Sequence, residues 1–324
     1  MAPLRVGVLG CADIARRRIM PALRAHPDTE LVAVAGRDVG RTVRTAAEYG
    51  CEPVHGYDRL LARADVDAVY VPLPAALHAP WTEAALLAGK HVLAEKPLTT
   101  DTARTANLLA LAERRGLVLR ENVMFVHHGQ HRAVRELVAD GAIGRVRALH
   151  AVFTVPRPPD RDIRFDPALG GGALWDTGVY PVRAALLLLG GALEPMASIR
   201  VRGGPGDRVD VAGTALLRAP DGAGAHLTFG LDHGYRSRYE IWGTGGVLTV
   251  DRAFTPPAGL PPRVVLDRPG GAERIVLPAE DQVLNAVGAF AGAVRTGAPT
   301  DPALLPQAAL LAELAELADR TEAV

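Results

Sequence analysis

Cysteine is scarce in this chain. Among 324 residues there are two, Cys11 and Cys51, far apart in sequence. That excludes a disulfide framework and fits a reducing compartment. An excess of charge of either sign is missing too, with 36 Lys plus Arg against 36 Asp plus Glu. A neutral chain offers no electrostatic reason to bind nucleic acid. Long hydrophobic runs are lacking: the longest, near Ala184–Leu189, is far too short to span a bilayer. The opening MAPLRVGVLG enters a strand-like run at once, without a basic segment followed by an apolar one. There is no internal repeat, and the only proline-rich loops are PRPPDRD (156–162) and FTPPAGLPP (254–262). The expectation is a soluble cytoplasmic protein with no nucleic-acid or membrane partner.

The length exceeds what one core usually serves, so two domains are expected. Short apolar, β-branched runs stand at 4–10, 31–36, 67–74, 91–95 and 117–122. Helical spacing separates them, at 12–25, 38–49, 76–88 and 101–115. Strands alternating with helices of this length give βαβ units and a parallel sheet buried on both faces. After residue 122 the rhythm changes. A helix at 128–140 and an alternating strand at 146–155 lead to a helix within 171–191. Strand-like runs follow at 196–202, 211–218, 225–232 and 239–250, then a hairpin pair at 262–267 and 274–278. Helices at 281–295 and 302–321 close the chain. The reading is α/β: an N-terminal doubly wound Rossmann sheet over 1–122, for dinucleotide binding. The second domain, 123–324, is α+β with a large open, mostly antiparallel sheet, for substrate binding and oligomerisation. The last helix is a candidate to pack back toward the first domain.

The turn GVLGCADIA (7–15) joins the first strand to the first helix. A dinucleotide turn needs tight bending, close backbone approach and close helix packing, and Gly10, Ala12 and Ala15 occupy those three places. Two of the three glycines are thus alanines. Gly10, Cys11, Ala12, Asp13, Ile14 and Ala15 form the candidate pyrophosphate cradle, whose free N–H groups would face the phosphates. The second strand ends at Gly36, followed by Arg37, with Arg41 one turn on. A small residue and then arginine leave room and charge for a 2′-phosphate, so NADPH/NADP is preferred to NAD. Asp38 competes, but it also fits the N-cap of the next helix.

The stretch HVLAEKP (91–97) is a later strand of the same sheet, and its carboxyl end faces the cofactor crevice. Lys96 would emerge beside the nicotinamide, and an X-Pro bond there can be cis. Glu95 either fixes Lys96 or contacts the nicotinamide ribose. Hydride arriving at a ketone carbon creates an alkoxide, which needs a proton donor at once. Tyrosine, with an ordinary pKa of about 10, is protonated at neutral pH and able to donate.

The motifs GCADIA, PLPAALH (72–78), EKP (95–97), ENVMF (121–125) and GGGALWDTGVYP (170–181) resemble, in order and spacing, the Gfo/Idh/MocA-like oxidoreductase family along nearly the whole chain. VPLP, EKPLTT, ENVMFVHH and WDTGVYP look in detail like the dTDP-sugar 3-ketoreductases of deoxysugar biosynthesis. That resemblance implies NADPH-dependent reduction of the C3 carbonyl of a dTDP-linked 3,4-diketo-2,6-dideoxyhexose. Polyol, inositol and dihydrodiol dehydrogenases of the family are the alternative, with a non-catalytic dinucleotide sensor as a third class. Many relatives have D-x-x-x-H where this chain has Asp176 and Tyr180, which disfavours a dehydrogenase with a histidine base. The resemblance implies that Lys96 is essential, with Tyr180 and Asp176 beside it, and does not rank Lys96 and Tyr180 as donors. Leu73, Pro74, His78 and Arg164 match cofactor-lining positions, and Asn122 is a candidate substrate contact.

Asp176 and Tyr180, four apart on a helix, share a face. Gly170, Gly171 and Gly172 would let the backbone approach the cofactor. A diphosphate needs cations, for which Arg157, Arg161, Arg236 and Arg238 are candidates, and Arg236 is also counted among the substrate contacts. His127, His128 and His131 lack the spacing of a metal site, and none is expected. An open sheet face rarely stays bare, so a homo-oligomer, dimer or tetramer, is expected.

Overall fold

The computed structural model describes residues 2–322. It divides into two compact units, one running to Met124 and including Val283–Leu304, the other spanning Phe125–Gln282 and the residues after Leu304.

In the first unit, strands β1 (Leu4–Leu9), β2 (Thr29–Gly36), β3 (Glu52–His55), β4 (Ala68–Val71), β5 (His91–Ala94) and β6 (Leu119–Glu121) form one parallel sheet. Their order is β3-β2-β1-β4-β5-β6. The order reverses between β1 and β4, and such a reversal opens a crevice at the strands' carboxyl ends. Helices α1 (Met20–Ala25), α2 (Val39–Tyr49), α3 (Tyr57–Leu61), α4 (His78–Leu87) and α5 (Thr102–Arg115) connect the strands. Alternation along each strand builds two cores. Val8, Val34, Tyr70 and Leu93 pack with Ile19 and Leu23 on one face. Leu9, Ala35, Val71 and Val92 pack with Leu60, Leu86 and Leu108 on the other. Strand β3 has no counterpart in the sequence reading. It is a short, mostly exposed edge strand containing Pro53, so it carries no hydrophobic pattern.

The second unit carries α6 (Gly129–Ala139), β7 (Val146–Thr154), α7 (Val179–Leu189), β8 (Glu194–Gly203), β9 (Val209–Arg218) and β10 (Gly224–Gly230). Strands β11 (Arg236–Gly243), β12 (Val247–Asp251), β13 (Arg263–Arg268) and β14 (Gly271–Ile275) complete an eight-stranded sheet. Its order is β14-β13-β12-β11-β7-β10-β9-β8. Only the β7–β10 pair is parallel. The run at 239–250, read as one strand, is two. The glycines of Gly243-Thr244-Gly245-Gly246 turn the chain back, with Gly243 N–H donating to the Gly246 carbonyl at 2.9 Å. Strand β14 likewise starts at Gly271, earlier than expected.

Helices α8 (Gln282–Thr296) and α9 (Leu304–Glu322) end the chain. The penultimate helix, not the last, joins the first unit. Val283, Ala286, Val287 and Phe290 of α8 complete the core on the α1 face. Helix α9, apart from its first residue Leu304, stays with the second unit, where Arg200 of β8 donates to Asp319.

Two helices widen into π-turns, at Ala15–Ile19 and at Leu174–Gly178. Each turn is followed by an interior proline, Pro21 and Pro181. Proline has no N–H and its ring collides with the carbonyl four residues back, here Arg17 and Thr177, both inside the π-turns. Lengthening the turn relieves that collision: Met20 N–H donates to the Ala15 carbonyl, five residues back.

Candidate active site

The turn after β1 bends at Gly10, whose φ of 122° suits glycine alone. A Cβ there would stand 3.1 Å from Leu73 Cδ2. Gly10 N–H donates to the Ala35 carbonyl at 2.8 Å, tying the turn to β2. Arg16 N–H donates to the Ala12 carbonyl, so the amides of the residues just before Arg16 begin the helix. At the tip of β2, a Cβ on Gly36 would collide with Thr42 Oγ1. Asp38 caps α2, accepting from Arg41 N–H at 2.8 Å. The Arg41 guanidinium donates to the Cys11 carbonyl at 2.6 Å, joining α2 to the glycine turn. Arg16 pairs with Glu48, and Arg17 lies 3.9 Å from Asp13.

The end of β5 holds a buried carboxylate. Glu95 is 7% exposed. Its Oε1 accepts from the Tyr70 hydroxyl and from Asn122 Nδ2, both at 2.6 Å. Its Oε2 accepts from the Lys96 backbone N–H at 3.3 Å. Tyr70 of β4, Asn122 just past β6 and the Lys96 N–H just past β5 thus converge on a single carboxylate. The Lys96–Pro97 bond is cis. Asn122 serves Glu95 through its amide nitrogen, and its buried Oδ1 has no hydrogen-bond partner. Tyr70 was not anticipated. A tyrosine inside a strand buried on both faces needs a partner for its hydroxyl, and that was the available signal. The His78 ring is enclosed by main-chain carbonyls at both nitrogens. No ring nitrogen remains to face a cofactor, in contrast to the lining role expected of it.

In the second unit, Asp176 sits in the π-turn and accepts from Arg164 Nε at 2.7 Å. Asp162 also accepts from this guanidinium, at 3.1 Å. The carboxylates raise the Arg164 pKa further above its ordinary value, the Asp176 charge most. Arg164, matched to a cofactor-lining position, and Asp176, expected beside Lys96, are therefore one ion pair. Tyr180 is 7% exposed and packs among Phe153, Phe254 and Phe125, with ring centroids 4.5, 5.8 and 6.1 Å away. Two of the glycines before it, Gly171 and Gly172, lie against the protein's own groups. A Cβ on Gly171 would stand 2.5 Å from the Arg164 carbonyl, and one on Gly172 2.6 Å from Asp210 Oδ1. Asp210 in turn accepts from Leu174 N–H at 2.7 Å, where the π-turn begins. Burial raises the Asp210 pKa, partly offset by that N–H and by Arg200.

Arg236 corrects the sequence reading. It pairs with Thr154, and with Val152, Thr228, His233 and Arg238 it lines a cavity of about 460 Å³. Phe153, next to Thr154 on β7, points the other way, toward Tyr180. Arg236 and Tyr180 therefore lie on opposite faces of the sheet. Arg238 is held by Glu240 and Asp251, and Arg157 by Asp160 and Asp232. His131 lies between the Tyr239 hydroxyl and the Ala253 carbonyl.

A glycine turn at the reversal point of a parallel sheet, with a lysine at the tip of β5, is a dinucleotide oxidoreductase arrangement. Residues 4–123 match the oxidoreductase family with an NAD-binding Rossmann fold, and residues 131–249 match the GFO/IDH/MocA C-terminal domain. The chain belongs to the Gfo/Idh/MocA oxidoreductase family. Among its Gfo/Idh/MocA relatives is the dTDP-3,4-didehydro-2,6-dideoxy-alpha-D-glucose 3-reductase of Streptomyces violaceoruber, 55% identical over 90% of this chain and 85% of that protein. The enzyme of the same name from Actinomadura kijaniata is 52% identical over 91% of this chain and 89% of its own. KijD10, a 3-ketoreductase from Actinomadura kijaniata solved with NADP and TDP-benzene, superposes with a TM-score of 0.94. It is 50% identical, covering 97% of this chain and 98% of that one. KijD10 has also been solved with a tyrosine changed to phenylalanine and with a lysine changed to alanine.

The first unit of this Gfo/Idh/MocA chain fits a dinucleotide. Gly10 leaves open a cradle that any Cβ would fill, next to helix amides, and Gly36 places Arg37 at the tip of β2.

Proposed function

We propose that this chain reduces the C3 ketone of a dTDP-linked 3,4-diketo-2,6-dideoxyhexose, with NADPH as reductant. The similarity to 3-reductases across both matched domains, at more than half identity, carries the reading. Gly10 and the helix amides hold the pyrophosphate, and Arg37 takes the 2′-phosphate. When bound, NADPH supplies the hydride for the carbonyl carbon. Lys96 or Tyr180 gives the proton to the carbonyl oxygen as negative charge develops there. Glu95, fixed by Tyr70 and Asn122, sets the backbone from which Lys96 projects. Asp176 orients Arg164, and Tyr180 stands on an aromatic floor. The lysine and tyrosine substituted in KijD10 are separated by as many residues as Lys96 and Tyr180 are here, which supports giving these two the reacting roles.

The test is turnover. Purified protein with the diketo sugar nucleotide is expected to consume NADPH and yield a product reduced at C3, read by mass spectrometry and NMR. Absence of NADPH consumption, together with steady NAD reduction by inositol or another polyol, would overturn the assignment. The protein also forms a homo-oligomer in this reading, through the open face of the eight-stranded sheet. Ile199, Val201 and Trp242 are exposed on that unit at 58, 54 and 44%.

A further inference from the structure

One imidazole joins the ends of two neighbouring strands in the first unit. His78, the first residue of α4, is 1% exposed. Its Nδ1 lies 2.7 Å from the Pro97 carbonyl oxygen and its Nε2 2.6 Å from the Leu73 carbonyl oxygen. Pro97 directly follows Lys96, beyond the end of β5. Leu73 follows β4, and its side chain closes over Gly10. Strands β4 and β5 pair in parallel, so the ring braces two adjacent loops at the carboxyl edge of the sheet. Neutral imidazole has one N–H, and only the doubly protonated ring donates to both carbonyls. Burial and the Lys96 charge oppose the second proton, while the two carbonyls and Glu95 favour it, and burial prevails, so the neutral ring donates to one carbonyl at a time, to Pro97 as the Nδ1–H tautomer and to Leu73 as the Nε2–H tautomer.

The geometry points to His78 as a positioning residue with two separable effects: it sets Lys96 through the Pro97 carbonyl, and it sets the wall over the glycine turn through the Leu73 carbonyl. The first effect rests on the reading of Lys96 as a reacting group. Displacement of such a group by about 1 Å is enough to slow a reaction on the order of a hundredfold.

Two amide substitutions separate the contacts. The amide nitrogen of His78→Asn takes the place of Nδ1 and keeps the Pro97 bond alone. That of His78→Gln takes the place of Nε2 and keeps the Leu73 bond alone. In His78→Gln, kcat is expected to fall about tenfold or more, with NADPH affinity, measured by fluorescence titration without substrate, held within about twofold. In His78→Asn, NADPH affinity is expected to weaken about tenfold, with the smaller effect on kcat. Equal losses of both quantities in both variants would mark a merely structural residue and overturn the proposal. If neither variant folds, judged by thermal melting, wild-type protein labelled with 15N-histidine carries the test. A solvent-protected ring N–H that shifts when NADPH binds supports the brace, and none shifting overturns it. Lys96→Ala is assayed alongside. Full turnover there sinks the role given to Lys96. An inactive Lys96→Ala beside a His78→Gln enzyme with wild-type kcat sinks only the positioning role.

Discussion

Glu95 illustrates what a single buried carboxylate does here. Two donors share its Oε1, so its side chain is fixed from the neighbouring strands, and Lys96 inherits a fixed starting point. A proton donor at the reacting oxygen is worth about 10²–10⁴ in rate. Lys96→Ala is therefore expected to lower kcat by about 10² or more while NADPH still binds, as fluorescence titration would show. Arg37→Ala is expected to weaken NADPH about tenfold and leave NADH little changed, because only the former carries the 2′-phosphate. Equal weakening of both coenzymes would argue against the phosphate contact. His131 gives a pH prediction for stability. Full burial lowers its pKa to about 3. The folded protein keeps the ring neutral while the unfolded chain takes up a proton below about pH 6.5. Its contribution is thus complete above that pH and is lost as pH falls toward the folded value. At about pH 4.5 the loss amounts to about 3 kcal/mol. Urea unfolding at neutral and acid pH should show this slope, and His131→Gln should flatten it.

At the scale of elements, the turns carry most of the consequences. The helix after β1 must begin close behind Gly10, and a side chain at φ 122° would be strained as well as crowded by Leu73. Gly10→Ala is expected to cost about 1–3 kcal/mol and to abolish NADPH binding, measured by melting with and without the coenzyme. The cap of α2 is a milder case. Asp38 accepts from Arg41 N–H, and Asp38→Ala is expected to cost about 1 kcal/mol in urea unfolding, with coenzyme choice unchanged. Both π-turns occur in the helices that carry candidate site residues. Proline ordinarily breaks a helix, yet the helices containing Pro21 and Pro181 continue through the proline by widening instead of stopping. Local propensity gives the collision; packing around the turn selects how it is relieved.

For the whole molecule, the second sheet sets the largest question. One face carries Phe153 and Phe229 toward α7 and the π-turn, while the other bears Ile199, Trp242 and the stacked rings of His150 and His226, 4.7 Å apart. Sedimentation of the purified protein should show a species larger than one chain, and Ile199→Arg should reduce its size. A monomer at micromolar concentration would remove the sheet face from consideration as an interface. Among the described residues no helix is long and apolar enough to cross a membrane.

Periodicity and punctuation determined much of this protein unaided. Alternating apolar runs and helices specified the parallel sheet, because strands buried on both faces need continuous hydrophobicity. Motif order specified the family, and Gly10, Gly36, Asp38 and the Lys96–Pro97 turn were readable because each has a local conformational requirement. Tertiary structure decided what has no local signature. Which closing helix covers the first sheet depends on which apolar stripe matches that face. Glu95 joins Tyr70 and Asn122, and Arg164 joins Asp176, through contacts made only by folding. Arg236 shares its strand with inward-facing residues, and its side depends on register, since one step along a strand reverses the face.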